Sequence, residues 1–179
     1  MTTRIPVELH RPFDIVSLPD GGRGIEITAS QAERDAIARR LGLLGLGDFT
    51  VRGRLDPLRR GRSAVFDARM TASVTQECIV SGDPVEAAID EEIHVRLLTE
   101  DEAETRAELD LDVDEEDVEV ATAGIVDLGD ICVQYLTVAL DPYPRATGAV
   151  APALPEEDDA DDNIAPNLFA VLKKLKDKT

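Results

Sequence analysis

The chain has no tryptophan and only two cysteines, two histidines, four phenylalanines and two tyrosines. Cys78 and Cys132 cannot build a disulfide framework. There is no CxxC pair, and His10 and His94 lack companions at ligand spacing, so no metal site is expected. No apolar run approaches the roughly 20 residues of a membrane span, and MTTRIPVELHRPF lacks the apolar stretch of a signal peptide. The expectation is a cytoplasmic protein with no membrane partner. No GxxxxGK[ST] loop occurs, and GGRG at 21–24 is too short and generic for a phosphate cradle. No serine or cysteine has a histidine at a suggestive position. Carboxylates are abundant, but abundance is not a catalytic pair, which needs shifted acidity in a pocket. The chain therefore reads as a non-enzyme with no catalytic residue, cofactor or small-molecule substrate. Positive charge is scarce as well: 19 Lys and Arg against 37 Asp and Glu, a net charge of -18 over 179 residues. Such a chain is repelled by bare phosphate backbones and suits basic protein partners, or uses its acidity only for solubility.

What remains is enough for one aliphatic core, since 43% of the residues are hydrophobic. Short strands are predicted around Phe13 to Leu18 and Gly24 to Thr28, with a turn at Pro19 to Gly22. Ser30 followed by Glu33 is a capping box, so a helix over 30–41 is predicted, closed by glycines at 42, 45 and 47. A strand over Phe49 to Leu58 leads to a turn at RRGR, 59–62. The stretch from Ser63 to Cys78 alternates: Ala64, Phe66, Ala68, Met70, Ala72 and Val74 share one face, with polar residues on the other. After the turn residues SGDP, Val85, Ala87, Ile89, Ile93, Val95 and Leu97 are expected inward, so the middle of the chain reads as an antiparallel meander with one wet face. From Glu100 to Glu119 twelve of twenty residues are acidic, which predicts an exposed loop with at most an edge strand in it.

The segment DLGDICVQYLTVALDPYPR carries the strongest helical periodicity. Leu128, Ile131, Cys132, Tyr135, Leu136, Ala139 and Leu140 form one apolar stripe. Asp127 can cap it, Asp130 suits its first turn, and Asp141-Pro142 stops it. Cys78 and Cys132 both stand in apolar stretches and read as buried thiols rather than nucleophiles. Beyond Pro144, APALPEEDDADDN reads as a disordered linker. In the tail that follows, Pro166 can open a helix with a stripe of Leu168, Val171, Leu172 and Leu175 and four terminal lysines. Leu168, Phe169, Leu172 and Leu175 are its partner-binding candidates, whether that partner is the chain's own core or another protein.

One region inverts the charge. Between Gln31 and Met70 there are nine arginines against five acids. Arg52, Arg54, Arg59, Arg60, Arg62 and Arg69 flank one predicted hairpin and are candidates for gripping RNA phosphates through bidentate contacts. With no interleaved aromatics, such contact would be to backbone and shape. The alternative is internal ion pairing with the acidic stretch 100–119.

Three blocks, VTQECIVSGDPVEAAIDEEIHVRLL, GIVDLGDICVQYLTVALDPYPR and NLFAVLKKLK, together resemble the YceD family of large ribosomal RNA subunit accumulation proteins. The resemblance runs from about residue 13 to 176. Cys78, Asp127, Leu128, Gly129, Asp141, Pro142 and Pro144 fall on the family's motif positions. The resemblance implies a part in 23S rRNA accumulation, in a family whose gene commonly neighbours that of a basic large-subunit ribosomal protein, and brings no catalytic role. The expected fold is α+β: a twisted antiparallel sheet covered by the 30–41 and 127–140 helices. The expected division is a core over 1–148, an acidic linker over 149–165 and a short helix over 166–179. The expected function is large-subunit assembly through binding to rRNA, to a ribosomal protein or to both. The alternative is an acidic chaperone or adaptor for a basic client protein alone.

Overall fold

In the computed structural model of the chain, which describes residues 8–58, 63–108 and 117–150, Ser30 and Glu33 form the capping box that their spacing predicts. The Ser30 N–H donates to Glu33 Oε2 at 2.8 Å, and the Glu33 N–H reaches back to Ser30 Oγ. Helix α1, Gln31–Leu41, starts there and ends at Gly42, whose φ of 67° is the left-handed turn that glycine adopts without penalty. The first compact unit of the chain, Met1–Ala149, holds all the elements described below.

Strands β2 (Arg23–Thr28), β3 (Gly45–Pro57), β4 (Ala64–Glu77), β5 (Pro84–Thr99) and β6 (Asp117–Ala121) lie in that order in one sheet. β2 to β5 pair antiparallel with their neighbours, while β6 joins β5 in parallel. A small second sheet pairs β1 (Pro12–Asp14) with β7 (Ile125–Asp127). The α+β class is as expected, but the sheet is mixed rather than wholly antiparallel. The acidic stretch is the reason. Its first part is helix α2, Glu100–Glu108, and not a loop. Seventeen residues separate the end of β5 from the start of β6, enough for the crossover that a parallel pair requires. Tyr135 fastens the added strand: its hydroxyl donates to Asp117 Oδ2 at 2.5 Å and lies 3.2 Å from the His94 carbonyl oxygen. Three helices are therefore present among the described residues, not two. The linker and terminal helix expected over 149–165 and 166–179 lie outside the described residues from 151 onward.

Alternation along β4 is realised. Ala64, Phe66, Met70, Ala72 and Val74 are buried with Val51 and Leu55 of β3 and Val95 and Leu97 of β5 in one core. Helix α3, Leu128–Ala139, adds Leu128, Ile131, Cys132, Val133 and Leu136, and α1 adds Ile37 and Ala38. Two expectations are corrected. The first strand stops at Asp14, because its carboxylate accepts the Val16 and Ser17 N–H groups in a tight turn. In β5, Ala87 is exposed and Val85 and Ile89 only half-buried. A 16-residue strand runs about 53 Å, whereas a 12-residue helix covers about 18 Å, so the sheet outruns its cover.

The helix N-termini are tied together. Asp127 caps α3 by accepting the Gly129 and Asp130 N–H groups, and also accepts the Arg11 N–H at 2.8 Å. The Arg11 guanidinium then grips both oxygens of Glu33, at 2.8 and 3.1 Å. Arg11, before burial and the Ser30 bonds are weighed, is the largest influence holding the Glu33 carboxyl down at about 2, against 4.5 when free. Gly129 sits under this crossing: a Cβ there would fall 2.1 Å from the Leu9 carbonyl oxygen.

Two outcomes follow for stability. Glu33→Gln should cost about 0–1 kcal/mol at pH 7, since glutamine keeps an acceptor for the Ser30 N–H but removes a partly exposed ion pair. The stabilisation from a depressed carboxylate is complete above pH 4.5 and is lost as pH falls toward 2. Urea midpoints of wild type and variant should therefore converge between pH 4.5 and 2, and a gap that stayed constant would contradict the ion-pair assignment. Gly129→Ala forces a methyl against Leu9 backbone and should cost about 1–3 kcal/mol, read as a lowered midpoint with unchanged m-value.

Candidate binding surface

The face of the sheet opposite the core is a lattice of polar side chains. Strand register sets three rows across it. Gly24, Arg54, Asp67 and His94 form one, Glu26, Arg52, Arg69 and Glu92 the next, and Thr28, Thr50, Thr71 and Asp90 the third. Arg52 Nε and Nη2 each lie 2.9 Å from Glu26 Oε1. Arg69 holds Asp90 bidentately at 2.6 and 2.7 Å, and this keeps the Asp90 carboxyl below its ordinary range. Arg54 reaches Asp56 and the Gly21 carbonyl oxygen, and His94 pairs with Asp67. The guanidinium groups remain more than half exposed. A shallow depression of about 520 Å³ opens over Arg52, Asp67, Arg69, Glu92 and His94.

Of the six arginine candidates, Arg52, Arg54 and Arg69 are brought onto this one face. Arg59, Arg60 and Arg62 lie outside the described residues, as do Leu168, Phe169, Leu172 and Leu175. Arg52, Arg54 and Arg69 pair with carboxylates on β2, β3 and β5, and not, among the described residues, with the stretch 100–119. Those partners, Glu26, Asp56 and Asp90, with Asp67 and His94, were not singled out from sequence. They needed the strand register, which hydrophobic alternation alone leaves open by steps of two residues.

The motif positions assemble into two joints of the frame. Asp127, Leu128 and Gly129 make the α3 cap described above. Cys78, Asp141, Pro142 and Pro144 meet at the other end of α3. There Gln76 Nε2 donates to the Asp141 carbonyl oxygen at 2.9 Å and the Ile79 N–H donates to that of Pro144 at 3.0 Å. Cys78 Sγ accepts the Ala146 N–H at 3.2 Å and the Ser81 N–H at 3.4 Å. The two thiols differ. Cys132 is sunk in the core, and burial pushes it up to about 12. Cys78 is only 2% exposed but lies outside the core cluster, under a layer of turn backbone. The Ala146 N–H, then the Ser81 side chain and N–H, draw its thiol down to about 6, and burial opposes them weakly. The expectation of an apolar setting for Cys78 is thus corrected: its sulfur faces N–H dipoles.

An α+β frame whose motif residues cap a helix and close a turn, behind a sheet face of arginines and carboxylates, defines the class. The family description "Large ribosomal RNA subunit accumulation protein YceD" matches residues 66–176, more than half of the chain, and the chain belongs to that family. No curated protein and no solved structure matches it. None of the described helices is long and apolar enough to cross a membrane.

The thiol assignment predicts a thiolate absorbance near 240 nm that titrates around pH 6 and vanishes in Cys78→Ala. A thiol depressed on folding stabilises fully above its free value of 9.0 and loses that contribution as pH falls through 6. The stability gap between wild type and Cys78→Ala should accordingly shrink from pH 9 to pH 6.

Proposed function

We propose that this protein supports large-subunit rRNA accumulation by binding, not by catalysis, and that it contacts the backbone of precursor 23S rRNA through the arginine-bearing sheet face. The observation that carries the reading is the convergence of Arg52, Arg54 and Arg69 on one open face of a chain that is otherwise strongly acidic. Exposed ion pairs contribute about 0–1 kcal/mol, so their carboxylates can yield to phosphates that a guanidinium grips bidentately. The motif residues agree with this reading, because Asp127 caps α3, Gly129 lets the chain pass over it, and Asp141, Pro144 and Cys78 accept the hydrogen bonds of the turn joint.

A second reading has its own support. Glu100, Asp101, Glu102 and Glu104 on α2 form no ion pair among the described residues. That helix suits a lysine- or arginine-rich protein, which would make the chain an adaptor for a basic ribosomal protein. Membership of the family agrees with action beside the assembling ribosome in the cytoplasm.

The test is a native pull-down of the full tagged chain at low salt, with 23S and 16S rRNA quantified with and without RNase. Enrichment of 23S over 16S is the expected result. Recovery of one basic protein that survives RNase, with no rRNA, would replace this reading with the adaptor one.

A further inference from the structure

Arg52 and Arg69 are direct cross-strand partners on the exposed face. Like charges placed opposite one another destabilise a sheet unless an anion lies between or beside them. Here each arginine turns away from the other, Arg52 toward Glu26 on the β2 edge and Arg69 toward Asp90 on β5. Arg52 uses a single carboxylate oxygen for both of its bonds. The gap between them is the depression that His94 and Glu92 also line, and the row of Thr28, Thr50 and Thr71 hydroxyls follows on the same face. No Phe or Tyr belongs to the three rows, so a flat base would find nothing to stack on.

We propose that Arg52 and Arg69 form a phosphate clamp for RNA, in which Glu26 and Asp90 are resident anions that a phosphodiester displaces. The inference rests on the rRNA reading above and adds to it the atoms of contact and a built-in competitor. In the free protein the two carboxylates keep the arginines apart and lower the affinity of the face for stray anions. In the complex a phosphate bridges both guanidiniums, which swing together across the β3–β4 pair, and the threonine hydroxyls donate to the neighbouring phosphates. Contact to backbone alone makes binding shape-selective and strongly dependent on salt.

The test measures binding of the full chain to a fluorescein-labelled RNA hairpin and to single-stranded RNA, by anisotropy across a salt series. Arg52→Gln with Arg69→Gln should weaken binding at least tenfold and lower the log–log salt slope by about 1 for each arginine. Glu26→Gln with Asp90→Asn should tighten binding several-fold. Glu100→Gln with Asp101→Asn changes net charge equally but lies on α2, and should not. All of these side chains are exposed, so thermal melts should stay near wild type. Equal tightening by the α2 pair would reduce the effect to overall charge and overturn the clamp. Tight RNA binding that none of the sheet variants alters would also overturn it, leaving rRNA binding standing but moving it off Arg52 and Arg69. No RNA binding by any form, including Glu26→Gln with Asp90→Asn, would remove both. Competition by inorganic phosphate as effective, phosphate for phosphate, as RNA would replace the polymer with the free anion and overturn the RNA assignment.

Discussion

Both helices that pack on the sheet begin at one partly buried tie. Asp127 accepts the first N–H groups of α3 and the backbone of Arg11, and the Arg11 side chain grips Glu33, which closes the box at the start of α1. Helix N-termini expose unpaired N–H groups and favour negative charge. Two carboxylates at two such ends would repel if nothing stood between them, and a single arginine stands there. Side-chain exposures of 31% for Arg11 and 23% for Glu33 leave the pair less screened than the ion pairs of the open sheet face. The β1–β7 sheet and the Leu9 crossing depend on the same point, since Pro12 pairs with Asp127 and the Leu128 N–H donates to the Arg11 carbonyl oxygen. The DLG block thus belongs to the frame: aspartate for the cap, leucine for the core and glycine for the chain that passes over it.

Much of this was legible in advance. Capping signals for α1 and α3 are local, with donor and acceptor three residues or fewer apart, and both appear where the spacing puts them. The period of two in β4 likewise reports its own burial. What was not legible is long-range. Whether Val85 and Ile89 are covered depends on how far a helix from elsewhere in the chain extends, which alternation does not encode. The acidic run looked like a loop because charge density argues against a buried face, yet α2 needs little burial: acids in its first turn suit the helix dipole. β6, which the same acidic run also supplies in part, lies parallel to β5.

The binding face was half legible. Arg52 and Arg54 could be set on one side of a strand by counting, and Arg69 on the polar side of the next. Their carboxylate partners required the register between strands. Cys78 misled for a related reason: Ile79 and Val80 follow it in sequence, but its neighbours in space are the N–H groups of Ser81 and Ala146, the latter far along the chain. On this face three arginines are gathered and neutralised by carboxylates, which is a different condition from a surface without positive charge.

Phe66, where the family match opens, is the third residue of β4, in the middle of the large sheet. Similarity of sequence and integrity of structure consequently part company here. A fragment cut at that residue would keep α3 and the Cys78 joint but lose β1, β2, β3 and α1, and with them the Arg11 and Leu9 contacts to the α3 cap. It would turn the remaining twelve residues of the central strand into a bare edge, with the Phe66 and Met70 side chains stripped of Leu55 and Val51. Long apolar edges of that kind recruit other chains. Aggregation, rather than a smaller working domain, is the expected fate of such a fragment, because the stretch before residue 66 supplies β1, β2, β3 and α1 to the same unit.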